Sequence, residues 1–154
     1  MPLLTDDETA RLSELFEREL GGDVTLVHFT ERTGGRAAPT APGDSCLHCS
    51  EAEALLGELA ATSEHIALEV HDLGAEPDVA RRYAIDRAPA TVLTGPGARG
   101  AVRLFGLPSG YEFATLLEDV IDVSVARDDL SADTRATLDA LARDVHLQVF
   151  VTPT

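Results

Sequence analysis

The sequence predicts an α/β domain in which a small mixed sheet of about four strands has helices on both faces. Helical patterns alternate with short apolar runs that end at turn residues, and the predicted order is αβαβαββαα plus a terminal strand. With 154 residues and 44% hydrophobic content, the chain is long enough for one domain with a proper core.

The first third of the chain reads as a helix, a strand and an irregular segment. A capping box at Thr5 and Glu8 begins the first helix, and two glycines after Leu20 end it. The short apolar run Thr25–Phe29 is typical of a buried strand. The next segment, Glu31–Ser45, is rich in Gly, Pro and Ala and has no periodicity, which predicts a mobile loop.

The second helix is predicted over Cys46–Ala60, and it begins with both cysteines of the chain. Apolar residues from Ala52 onward recur on one face of this helix, and counting back three positions places Cys49 on the same face. Cys46 falls at the helix start, beside free N–H groups. The spacing therefore predicts one buried thiol and one exposed thiol.

The rest of the chain contributes three strands of the domain, three helices and a strand-like end. A Gly-Pro-Gly turn after residue 94 separates the last two strands of the domain. The predicted elements are the strand Ile66–Val70, the helix Asp78–Tyr83, the strands Ala90–Leu93 and Ala101–Phe105, the helices Ser109–Val123 and Ser131–Arg143, and the terminal strand His146–Val151.

Charge and hydropathy exclude several function classes. The formal net charge is −15, and every basic residue is an arginine, so the chain lacks the basic surface that nucleic acid or an anionic membrane requires. No apolar stretch approaches the 18 residues of a membrane span, and the N-terminus has no secretory signal pattern. We therefore expect a cytoplasmic protein, where a C-x-x-C is more often catalytic or metal-binding than a permanent disulfide.

The two thiols of Cys46-Leu47-His48-Cys49 can close and reopen a disulfide ring. A helix N-terminus and an imidazolium such as that of His48 commonly lower a thiol pKa by about 2 units, which would make Cys46 mostly thiolate. Stabilising that thiolate would make the disulfide a stronger oxidant. Zinc is the alternative, but two cysteines supply only half a tetrahedral site, and no histidine has a ligand-like spacing.

A second pattern, Arg87-Ala88-Pro89, comes immediately before a predicted strand. Proline is tolerated at the first position of a strand because its missing N–H is not needed there, so this pattern alone does not require a function.

Together these patterns resemble the thioredoxin superfamily: a C-x-x-C at a helix start, then a β-α unit, then the segment 83–91 with its Ala88-Pro89. The segments 105–113 and 117–124 are more specifically similar to the N-terminal unit of the glutaredoxin-like protein disulfide oxidoreductases of thermophilic archaea and bacteria. The resemblance runs from the first helix to the end of the chain, and it implies a thioredoxin-like fold.

The resemblance implies a protein disulfide oxidoreductase without a bound cofactor. Cys46 would attack a protein disulfide, Cys49 would resolve the mixed disulfide, and oxidation of protein dithiols would be the reverse reaction. Pro89 would be a cis-proline facing the disulfide, Ala88 would present its backbone to a substrate, and Arg87 would flank the same groove. Electrons would come from a flavoprotein disulfide reductase or from substrate thiols.

Two departures from the family qualify this reading. The family joins two such units, whereas here residues 1–144 would form one unit, and 145–154 would be the strand that leads into an absent second unit. That strand could pair with its own sheet, form a dimer or stay unpaired. The loop at 31–45 is also longer than in the family, and we interpret it as a tolerated surface insertion.

Two other functions remain open from the sequence alone. The chain could be a catalytically weak binding module whose activity resided in the second unit. It could also carry a metal or an iron–sulfur cluster between two chains through its two cysteines.

Overall fold

The computed structural model describes residues 2–32 and 46–151 of the chain. Within these ranges the predicted order αβαβαββαα is confirmed. The elements are α1 (Asp6–Glu19), β1 (Val24–Thr30), α2 (Cys49–Ala60), β2 (Ile66–Asp72), α3 (Pro77–Tyr83), β3 (Ala90–Thr94), β4 (Val102–Phe105), α4 (Tyr111–Val125) and α5 (Ala132–Asp139).

The four strands form one mixed sheet in the order β2-β1-β3-β4. β1 runs parallel to β2, because α2 crosses back between them, and β3 is antiparallel to both β1 and β4. Val27 in the centre of β1 pairs with Glu69 on one side and Val92 on the other. β1 is therefore the strand through which both neighbours are held in register.

Side chains of β1 alternate between two apolar clusters, one on each face of the sheet. Val24 and Leu26 belong to the larger cluster, which α1, α2 and α4 cover. Val27 and Phe29 belong to the smaller cluster, which α3 covers. The predicted arrangement of a mixed sheet with helices on both faces is thus confirmed, and the fold is thioredoxin-like.

Local signals in the sequence account for several element ends. The predicted capping box is present, since the Glu8 N–H donates to Thr5 Oγ1 at 3.3 Å and the Thr5 N–H donates to Glu8 Oε2 at 2.8 Å. At the predicted turn, the Gly97 N–H donates to the Val123 carbonyl at 2.8 Å. The backbone of Ala126 leaves no room there for a Cβ, so this position needs glycine.

The C-terminal predictions were partly wrong. α5 ends at Asp139 rather than at Arg143, and the predicted strand His146–Val151 is not formed. A strand requires a partner for its backbone N–H and C=O groups, and none of the four described strands pairs with this segment. α5 has no buried residue, and the described chain that follows it is exposed throughout.

The predicted loop at 31–45 lies outside the described residues, except for Glu31 and Arg32. Among the helices that the structure describes, none combines the length and apolar character of a membrane span.

Candidate active site

Cys46 and Cys49 form a disulfide, with their Cα atoms 5.4 Å apart. The bond connects the residues ahead of α2 to the first residue of that helix. This Cα–Cα separation is in the middle of the range that disulfides adopt, so the backbone around the two cysteines has the spacing that the disulfide requires.

α2 begins at Cys49, three residues later than predicted. His48 is the N-cap, and its φ of −115° and ψ of 9° are not helical. Its carbonyl accepts the first helical hydrogen bond, from the Ala52 N–H at 2.9 Å. The four-residue disulfide ring thus occupies the turn in which periodicity predicted helix, and Cys46 precedes the helix instead of belonging to it.

The two sulfur-bearing residues differ in their access to solvent. Cys49 is 4% exposed, as its helix phase predicted, whereas Cys46 is intermediate rather than fully exposed. Leu47 between them is 81% exposed. The Glu31 N–H, immediately after β1, donates to Cys49 Sγ at 3.3 Å. Cys46 is therefore the more accessible of the two residues, and Cys49 is held against the end of β1.

Polar contacts hold the chain that leaves β1 beside the disulfide. The Arg32 N–H donates to Asp72 Oδ2 at 2.9 Å, and the Arg32 guanidinium pairs with Glu53 of α2 at 3.1 Å. Asp72 Oδ1 accepts two more amides, from Gly74 at 2.9 Å and Ala75 at 2.8 Å. The Arg32 amide above all, with the amides of Ala75 and Gly74, holds the pKa of Asp72 below its usual value, although desolvation opposes them.

His48 is the N-cap residue of α2, and its side chain is paired with the acidic side chain of Glu51. Its Nδ1 is 3.4 Å from Glu51 Oε2, and both side chains are about half exposed, at 52% and 49%. When the imidazole is protonated, Glu51 and solvent compensate part of its charge. We therefore expect a smaller effect of His48 on Cys46 than its position in the sequence alone predicts.

The segment before β3 lies at the same end of the sheet as the disulfide. The antiparallel pairing of β1 and β3 ends at Phe29 and Ala90, so the chain ahead of β3 and the Glu31 amide that contacts Cys49 both lie just beyond this end of the pairing. The Ala88–Pro89 peptide bond is cis. The topology therefore brings Pro89 and the cysteines to one edge, while their role in binding a substrate stays a prediction.

Arg87 is fixed on the surface by two neighbours. Its Nε donates to Asp86 Oδ1 at 3.0 Å, and its guanidinium lies 5.0 Å from the centre of the Phe105 ring. This is the geometry of a cation–π contact, and Phe105 is 43% exposed. Phe105 was not predicted as a site residue, because its proximity depends on the pairing of β4 with β3.

Among residues 2–32 and 46–151, no group of three or more His, Cys, Asp and Glu side chains comes together in a way that could hold a metal ion. The two cysteines are instead bonded to each other.

Solved structures with the same fold were found, although no protein-family model and no curated protein matches this chain. One is the AhpF component of alkylhydroperoxide reductase from Enterococcus faecalis, at 25% identity and a TM-score of 0.70, with 90% of this chain and 61% of that chain covered. A separate structure of its NTD_N/C domain is also 25% identical, at a TM-score of 0.70. A third is a protein disulfide oxidoreductase from Aeropyrum pernix, at 20% identity and a TM-score of 0.71, with 89% and 55% covered.

These likenesses and the site together define a class: a thioredoxin-like fold with a C-x-x-C disulfide at the start of a helix. The resemblance to a protein disulfide oxidoreductase, predicted from the sequence, is confirmed at the level of the fold by the solved structure from Aeropyrum pernix. The chain spans only about three fifths of the length of the solved chains it matches.

Proposed function

We propose that this chain is a thiol–disulfide oxidoreductase that exchanges protein disulfides and dithiols through Cys46 and Cys49. The observation that supports it is a disulfide between a partly exposed and a buried cysteine at the start of a helix in a thioredoxin-like fold. In such a pair only the accessible sulfur can meet a bulky partner, while the buried sulfur is placed to complete the exchange within the same molecule.

In the proposed reaction the Cys46 thiolate attacks one sulfur of a substrate disulfide, and the other substrate sulfur leaves as a thiolate. Cys49 then loses its proton and attacks Cys46, which forms the intramolecular disulfide and releases the second substrate thiolate. The substrate gains two electrons, and the two cysteines lose them. Oxidation of a substrate dithiol is the reverse sequence.

We propose that an extended segment of the substrate binds beside Ala88 and Pro89. Leu47 and Phe105 provide exposed apolar surface around this edge, and Arg87, which is paired with Asp86, provides a guanidinium on a chain with a net charge of −15. Substrates with apolar residues beside their cysteines suit this surface.

Electrons would be supplied by a flavoprotein disulfide reductase or by substrate thiols, and the proposed compartment is the cytoplasm, where such a site stays in exchange with thiols. One solved neighbour is a component of an alkylhydroperoxide reductase, which supports a place for this fold in electron transfer between proteins. This chain covers only 61% and 55% of the two neighbouring chains. An activity like that of either complete neighbour is therefore proposed for this chain and not observed.

The test is insulin reduction by dithiothreitol, followed as turbidity, with the wild type and Cys46→Ser. The wild type should accelerate precipitation, and the variant should match the rate without protein. Leu147→Ser, which changes an equally exposed leucine (82%) in the C-terminal segment and leaves both sulfurs, is the control and should retain activity. Equal rates for the wild type and Cys46→Ser would contradict the proposal and favour a binding module.

A further inference from the structure

Two consecutive backbone amides bond in opposite directions where the chain leaves β1. β1 pairs with β2 up to Thr30 and Asp72. Beyond this point the Arg32 N–H donates to Asp72 Oδ2 at 2.9 Å. The Glu31 N–H donates instead to Cys49 Sγ at 3.3 Å. One amide is thus bound to the end of β2, and its neighbour is bound to the buried sulfur of the disulfide.

The Asp72 carboxylate accepts backbone amides through both of its oxygens. Oδ1 accepts the amides of Gly74 and Ala75 in the turn after β2, and Oδ2 accepts the Arg32 amide. The Arg32 amide is the largest of the effects that lower the pKa of Asp72, so this carboxylate is ionised at neutral pH. An ionised acceptor binds an amide about twice as strongly as a neutral one. Asp72 therefore fixes the residue next to Glu31.

We propose that Asp72 is a positioning residue for the buried thiol. By holding the Arg32 amide, it keeps the Glu31 N–H directed at Cys49 Sγ, where this N–H stabilises the thiolate during exchange. The inference rests on the thiol–disulfide exchange proposed above. Cys49 must release its proton to water before it attacks Cys46, and a hydrogen bond to the charged form favours that release.

Two pairs of titratable side chains face Asp72. The Arg32 guanidinium, whose charge acts on the Asp72 carboxylate, pairs with Glu53 of α2 at 3.1 Å. Glu76, the N-cap residue of α3, accepts the Asp72 N–H at 3.2 Å and pairs with His71 at 2.9 Å. Replacing Asp72 with asparagine therefore removes one negative charge and leaves the partners in both of these pairs unchanged.

Loss of this carboxylate and loss of the Glu31 hydrogen bond have opposite effects on Cys49. A less negative environment favours a thiolate, so Coulomb interaction alone predicts that Asp72→Asn lowers the pH at which Cys49 ionises. The proposed role predicts a rise, because the Glu31 N–H is then no longer held on the sulfur. The sign of the change separates the two effects.

Asp72→Asn removes the acceptor of the Arg32 amide and keeps the turn after β2. The side-chain oxygen of asparagine can still accept the two amides of that turn, but its NH₂ group cannot accept a third amide. Cys46→Ser provides the background, because it leaves Cys49 as the one thiol of the chain. The ionisation of Cys49 is then followed by the ¹³Cβ resonance of the labelled cysteine as a function of pH.

In this background Asp72→Asn should raise the pH midpoint of Cys49 ionisation by about one unit. The magnitude follows from carboxylates, since two or three backbone N–H groups together lower their pKa by about two units. Asp23→Asn is the matched control, because it removes a carboxylate at the opposite end of β1, where Asp23 pairs with His65 at 2.8 Å. It should leave the midpoint unchanged. An unchanged or lowered midpoint in Asp72→Asn would overturn the proposal.

This titration does not depend on the exchange reaction. A wild type that fails to accelerate insulin reduction would contradict the proposed function, while the midpoint in the Cys46→Ser background would still report the role of Asp72. An active wild type together with an unchanged or lowered midpoint would overturn only the role of Asp72.

Amide hydrogen exchange in the oxidised wild type tests the same coupling without a substitution at Asp72. If Asp72 holds both amides in place, one opening event exposes the Arg32 and Glu31 amides together, and their protection factors should agree within about threefold. A larger difference between the two amides, or the absence of protection at both, would overturn the proposal.

Discussion

Replacing His48 with glutamine should lower the redox potential of the Cys46–Cys49 disulfide. An imidazolium beside Cys46 stabilises its thiolate, and therefore the reduced form, so removing it favours the disulfide. A lowering of the thiol pKa by two units would correspond to about 2.7 kcal/mol, or roughly 60 mV.

The structure predicts a smaller change than this. The His48 side chain is half exposed, and its Nδ1 lies 3.4 Å from Glu51 Oε2. The negative charge of Glu51 therefore offsets part of the positive charge that an imidazolium at His48 would exert on Cys46. Exposed charges in such surroundings interact by about 0.2–1 kcal/mol, and with 30 mV for 1.4 kcal/mol this gives a decrease of about 5–20 mV.

The assay is equilibration of the protein in glutathione redox buffers at pH 7, with the dithiol fraction determined by alkylation. Glu51→Gln is the matched control, and it should raise the potential, because the charge of His48 would then act on Cys46 without compensation. An unchanged or raised potential in His48→Gln would refute the electrostatic reasoning, and a decrease near 60 mV would refute the assignment of Glu51 as the compensating charge.

Two further predictions concern stability. Leu56→Ala removes a side chain with no exposed area and should reduce the free energy of unfolding, measured by urea denaturation, by about 2–5 kcal/mol. Leu47→Ala, at 81% exposure, is the control and should change it by less than about 0.5 kcal/mol. Similar losses in both variants would contradict the described core. Asp72→Asn should destabilise the protein at pH 7, because the lowered pKa of Asp72 means that its ionised form contributes stability above the unfolded pKa. That contribution is lost as pH falls through the folded pKa, so denaturation curves of variant and wild type should converge in acid, and a constant difference would refute the linkage.

Most element types could be predicted because their signals are local. The capping box at Thr5 marks the first helix, and the turn glycines mark the boundary between β3 and β4. The start of α2 could not be predicted from periodicity, since the disulfide ring and the non-helical backbone of His48 replace its first turn. The terminal segment His146–Val151 has a strand-like composition, but composition does not specify a pairing partner.

The residues of the candidate site could also be predicted only in part from the sequence. Cys46 and Cys49 are neighbours in sequence, so their bond and the burial of Cys49 followed from spacing and helix phase. Phe105, by contrast, meets Arg87 only through the pairing of β4 with β3.

The hydrogen bond from the Glu31 amide to Cys49 Sγ makes one backbone proton a built-in spectroscopic reporter. A thiolate is a stronger acceptor than a disulfide sulfur, because charge-assisted hydrogen bonds are shorter and stronger than neutral ones. The Glu31 amide resonance should therefore move downfield, and its exchange with solvent should slow, as Cys49 becomes ionised. A single peak in an amide spectrum would then follow the state of the buried sulfur directly, without a label or a substrate.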